Sequence, residues 1–165
     1  MAKIHGKSVL SQFELLIIQA QAEGAEIIEL PLRSGAEYAK YVDGYIGINS
    51  NLSDTIKYEL IAEEVGHHRK TYGNITDKSD IRNLKLENIA RREGFKILLA
   101  PHDFLEPLKS GARNLYEFSE HLDISEKTLR NILDDWKKIY GMGITIGDYY
   151  LNLSQIWIFH EKIWL

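Results

Sequence analysis

Between Ile61 and His68 the chain reads I-A-E-E-V-G-H-H, and the placing of its ionisable residues constrains any fold that contains it. At about 100° per residue, Glu63 and His67 fall between Ile56 and Leu60 on a helical wheel, inside an arc that Ile61 and Val65 extend. Charged groups on an apolar stripe must be paired, metal-bound or neutralised, because burying an isolated charge is very costly. Gly66 adds a second constraint. A glycine inside a helix costs about 1 kcal/mol relative to alanine and is tolerated where something packs close to its backbone.

The spacing is that of the metal-binding signature H-E-x-x-H with Glu63 in place of the first histidine. In that signature the outer residues, four apart, share a helix face and bind one ion, while the glutamate beside the first ligand reaches a metal-bound water. Glu63 and His67 hold the outer positions and Glu64 holds the base position. Carboxylate oxygen is an acceptable zinc ligand. An ordinary Glu–His pair on an exposed helix has the same spacing, so a metal site and a satisfied polar cluster both fit the motif.

A third ligand has to come from another element. In the stretch from Leu86 to Pro101, Glu87 shares a stripe with Ala90, Gly94, Ile97 and Leu98, and the small residues on that stripe allow close packing against the first helix. Glu87 is therefore the candidate third donor, with a surface Glu87–Arg91 pair as the plainer alternative. His68 lies about 100° from His67 on the wheel, where it could orient a neighbouring group, contact substrate or face the core. His5, His102, His121 and His160 lack a spaced partner and are read as ordinary.

The chain has 165 residues, 44% of them hydrophobic, and no cysteine. That length suits one compact core. The missing cysteines remove disulfides and thiolate metal sites. No long apolar run or leader is evident, so a cytoplasmic, soluble protein without membrane contact is expected, as a monomer or weak oligomer. The net charge of −4, with scattered Lys and Arg, argues against nucleic acid as a partner.

Periodicity predicts a first amphipathic helix over 8–23, a strand from Ala25 to Leu32, and a loop through Ser34-Gly35. Tyr38–Val42 and Tyr45–Ile48 then flank Asp43-Gly44, the chemistry of a tight hairpin turn. A small antiparallel sheet is thus expected ahead of the motif helix, which runs from about Thr55 to Thr71 behind a Ser53 or Asp54 cap and ends at Tyr72-Gly73-Asn74. A polar loop over 75–80 and the Glu87 helix to Leu99 follow. Beyond Pro107, Asn114–Leu122, a turn at Asp123-Ile124 and a helix from Glu126 to Tyr140 give a helix-turn-helix outline. The second of these helices balances Glu126, Asp134 and Asp135 against Lys127, Arg130, Lys137 and Lys138, a poor face for phosphate and a better one for a scaffold or protein partner. The aromatic tail, 144–165, reads as a closing strand pair or a partner patch.

Tyr41-Val42-Asp43-Gly44-Tyr45-Ile46-Gly47-Ile48-Asn49, the E-E-V-G-H-H helix, and Glu87-x-x-Ala90 leading to Leu98-Leu99-Ala100-Pro101 together resemble the ImmA/IrrE metallopeptidases over roughly residues 12–141. The resemblance implies an α+β, minimal zincin-like fold, with a metallopeptidase core over 1–106 and a helical C-terminal extension over 107–165. It implies a zinc endopeptidase that inactivates a cognate helix-turn-helix repressor of a phage or mobile element, with Glu64 as general base and His67 and Glu87 as ligands. Glu63 departs from the usual histidine; with two carboxylates in the donor set, Mn²⁺ becomes a competitor of Zn²⁺. A catalytically weak protein that controls the repressor by binding it is the alternative.

Overall fold

The computed structural model describes residues 10–31, 39–70, 81–154 and 161–162. Helix α1, Gln12–Ala22, starts at Ser11, whose hydroxyl accepts from the Glu14 amide while the Glu14 carboxylate takes the Ser11 N–H. That reciprocal cap fixes the start. Strand β1 is Glu26–Leu30, β2 is Ala39–Val42 and β3 is Tyr45–Asn49. As the sequence predicts, β2 and β3 form an antiparallel hairpin about Asp43 (φ 48) and Gly44 (φ 93), the two positive φ values that bring strands round without splaying.

The expected all-antiparallel sheet is corrected. Strand β1 pairs with β3 in parallel, Glu26 opposite Tyr45 through Leu30 opposite Asn49, and the order is β1-β3-β2. The sheet is mixed, with β3 central. Alternation along a strand reports its two faces and not the direction of its neighbour, so the pairing was not legible. Burial follows the order: Ile46 and Ile48 of β3 are fully buried, whereas Ile28 and Leu30 of β1 are exposed.

Helix α2, Asp54–Lys70, and helix α3, Ile81–Leu98, follow. Pro101 opens a 3₁₀ turn, Pro101–Phe104, as expected of a residue that cannot continue a helix. Then come α4 (Leu105–Lys109), α5 (Leu115–Leu122, capped by Asn114) and α6 (Glu126–Tyr140, capped by Ser125). Asp123 turns between the last two in the left-handed conformation, φ 50. Of the two readings of the tail, the described residues show the strand pair. β4, Gly143–Ile146, and β5, Tyr149–Asn152, form an antiparallel hairpin, and β6, Glu161–Lys162, lies against β5. Gly147-Asp148 between two apolar runs was the overlooked turn signal. The expectations for 32–38, 71–80 and 155–160, with His5 and His160, lie outside the described residues.

One continuous buried cluster runs from Leu16 to Leu153, joining Ile46, Ile48, Ile61 and Val65 to Phe104, Phe118, Leu129, Ile132 and Trp136. Phe104 stacks on Phe118 at 5.1 Å and meets Trp136 at 5.5 Å between ring centroids. The sheet, the two long helices and the α5–α6 pair therefore share a core.

Candidate metal centre

Two glycines set the distance between α2 and α3. A Cβ on Gly66 would lie 2.2 Å from the Ala90 carbonyl oxygen and 3.0 Å from the Gly94 nitrogen; one on Gly94 would lie 2.9 Å from the Ala62 oxygen. The helices thus meet backbone to backbone, which a larger side chain at either position would prevent. Ala90 at this contact stands one turn beyond Glu87, so Glu87 is carried opposite His67. His67 Nε2 lies 3.7 Å from Glu87 Oε2.

Glu63, His67 and Glu87 each offer one donor atom, and the three lie within 4.8 Å of one another. A tetrahedral zinc centre places its donors about 3.4 Å apart, so small side-chain rotations would close the set. Two carboxylates and one imidazole suit Zn²⁺ and also the harder Mn²⁺. The residues fit a divalent cation.

These donors are less buried than the wheel implies. The side chains of Glu63, His67 and Glu87 are 41%, 14% and 22% exposed, while the buried arc of α2 comprises Lys57, Tyr58, Ile61, Ala62, Val65 and Gly66. Glu63 and His67 sit at the margin of that arc. The reason is the neighbour they face: Ile56 and Leu60 are only partly buried and line a cavity of about 500 Å³ with Leu52, Phe95, Leu98 and the start of α6. Glu63 and Arg91 stand at the same cavity wall.

Arg91 is the residue the sequence reading undervalued. Its guanidinium donates to Glu87 Oε1 at 3.2 Å and lies 3.7 Å from Glu63 Oε1, bridging two of the three metal donors. The four-residue spacing from Glu87 announced half of this arrangement. The other half spans two helices and leaves no local trace.

Glu64 accepts a hydrogen bond from the Tyr41 backbone N–H at 2.6 Å, which anchors it to β2. Tyr41 is itself braced by His68, whose Nδ1 lies 3.1 Å from the Tyr41 hydroxyl and whose Nε2 lies 3.0 Å from the Glu23 carbonyl oxygen. A carbonyl only accepts, so Nε2 donates there, and in the neutral ring Nδ1 takes the hydroxyl proton's bond. His68 thus reaches Glu64 through Tyr41 and is not among the three grouped donors. His102 pairs with the adjacent Asp103 on the surface, 76% exposed, and His121 is also exposed; neither joins the site.

Next to this group, Arg69 donates to both Glu23 oxygens at 2.5 and 2.6 Å, tying α2 to the end of α1. The guanidinium holds the Glu23 carboxyl below its ordinary value. On the other side of Glu63, Glu59 reaches the start of α6: its carboxylate accepts from the Ser125 amide, from the Ser125 hydroxyl at 3.0 Å and from the Thr128 hydroxyl at 2.7 Å. An acid at a helix N-terminus satisfies orphan donors and suits the dipole there.

No protein-family model matches the chain, and no curated protein matches it.

Proposed function

We propose that the protein is a metal-dependent endopeptidase whose ion is held by Glu63, His67 and Glu87. The observation that carries this reading is the convergence of those three donors within 4.8 Å, with Glu64, the next residue on α2, held by the edge strand β2. When bound, Zn²⁺ or Mn²⁺ would acidify a water and polarise the scissile carbonyl. Glu64 takes the water's proton and delivers one to the departing amine, as a general base and then a general acid. The Tyr41 amide orients Glu64 for both transfers, and His68 fixes Tyr41. Because β2 ends the sheet among the described residues, an extended peptide has main-chain groups to pair with beside Glu64.

The resemblance to the ImmA/IrrE metallopeptidases supports a helix-turn-helix repressor as the substrate, met in the cytoplasm. Two features favour a protein partner over DNA. The net charge is −4, and the first turn of α6, which would read bases in a helix-turn-helix, is engaged by Glu59 from α2. Among the described residues no helix is long and apolar enough to cross a membrane.

Elemental analysis of protein purified without chelator tests the metal. Stoichiometric zinc or manganese, and a higher melting temperature on adding it, is the expected result. A second reading has its own support: Arg91 already pairs with both Glu63 and Glu87, so these carboxylates have a partner without an ion. Absence of bound metal and of stabilisation by it would make the protein a repressor-binding regulator with a structural polar cluster.

A further inference from the structure

The cavity beside Glu63 is walled by apolar side chains and bordered by charge. Its floor is made by Ile56 and Leu60 of α2 and by Phe95 and Leu98 of α3, and its volume is about 500 Å³. This is the size range of a ligand pocket. Its position matters more than its size, since Glu63 belongs at once to the cavity wall and to the metal donors.

The charges around it are unequal in what they are free to do. The Glu59 carboxylate is spent on three hydrogen bonds from Ser125 and Thr128. Glu63 faces Glu87 and His67, and would be neutralised by a cation held there. Lys127, exposed at the cavity, makes no ion pair among the described residues. Arg91, 46% exposed, pairs with Oε1 of Glu63 and Oε1 of Glu87, two carboxylates whose charge a divalent cation would offset. With a dication offsetting Glu63 and Glu87, the cations Lys127 and Arg91 outnumber the remaining carboxylate, Glu59, at the mouth, on a protein of net negative charge.

Resting on the peptidase reading above, we infer that this cavity takes one large apolar side chain of the peptide substrate, and that Lys127 and Arg91 favour an acidic residue next to it. Burial of the side chain supplies discrimination by size, and the two cations supply discrimination by charge. The selected sequence is therefore a large apolar residue, such as leucine, followed or preceded by Glu or Asp.

Three short fluorescent peptides, identical except for a central Leu-Glu, Ala-Glu or Leu-Lys, test this by anisotropy against zinc-loaded Glu64→Gln protein, which binds without cleaving. Leu-Glu should bind about tenfold tighter than Ala-Glu and measurably tighter than Leu-Lys. Asn131→Trp, an exposed position at the cavity rim, should remove the preference for leucine, and Lys127→Glu should reverse the preference for acid. Equal binding of Leu-Glu and Ala-Glu, or a leucine preference that survives Asn131→Trp in folded protein, overturns the inference. A leucine preference without cleavage by the metal-loaded wild type upholds the pocket and removes the peptidase reading; cleavage of both Glu peptides with equal kcat/KM does the reverse.

Discussion

Gln in place of Glu64 keeps an oxygen to accept the Tyr41 N–H and loses only the base. Glu64→Gln should therefore abolish peptide cleavage while the melting temperature and zinc stoichiometry stay at wild-type values; parallel loss of folded protein would assign Glu64 a structural role. Glu63→His restores two neutral imidazoles to the donor set and removes one of Arg91's carboxylates. It should hold zinc as tightly or more tightly in a chelator competition, and a large loss of affinity would refute the assigned geometry. The donors themselves were legible because a helix repeats on one face every three to four residues. The bridge made by Arg91 and the amide that holds Glu64 were not, since each joins elements far apart in sequence.

The α2–α3 contact depends on two residues without side chains. Gly66→Ala would thrust a methyl to 2.2 Å from a backbone oxygen, so a helix has to move, at a cost of about 3 kcal/mol or a melting temperature lower by about 6–12 °C. Because Glu87 rides on α3, zinc affinity should fall with it. Gly47→Ala is the control, since its Cβ would meet nothing within 4 Å. The sequence disclosed this contact through Gly66, Ala90 and Gly94, and the β2–β3 turn through Asp43-Gly44, because both signals are local. The parallel β1–β3 pairing and the exposure of Ile28 and Leu30 depend on which strand takes the centre, which no local pattern states. The tie between α1 and α2 is acid-sensitive. Arg69 holds the Glu23 carboxyl below its ordinary value of 4.5, so its contribution is complete above that value and is lost as pH falls through the lower folded one. Glu23→Gln should lower the melting temperature by about 1–3 °C at neutral pH, and the difference from wild type should vanish in acid.

As a whole, the molecule is acidic and turns the start of α6 inward, so duplex DNA should bind no tighter than about the micromolar range at physiological salt. Submicromolar affinity in a salt titration, with log K falling steeply against log salt, would reverse that expectation. The inward turn of α6 has another consequence. Glu59 completes the start of a helix whose cap residue lies 66 residues later, so the Ser125 amide is shielded by a side chain from the opposite half of the chain. Hydrogen exchange at Ser125 is then governed by the departure of α2 as well as by fraying of α6. Deuterium uptake at that single amide should follow the opening of the helix that carries Glu63, Glu64 and His67, and should slow when metal clamps that helix to α3.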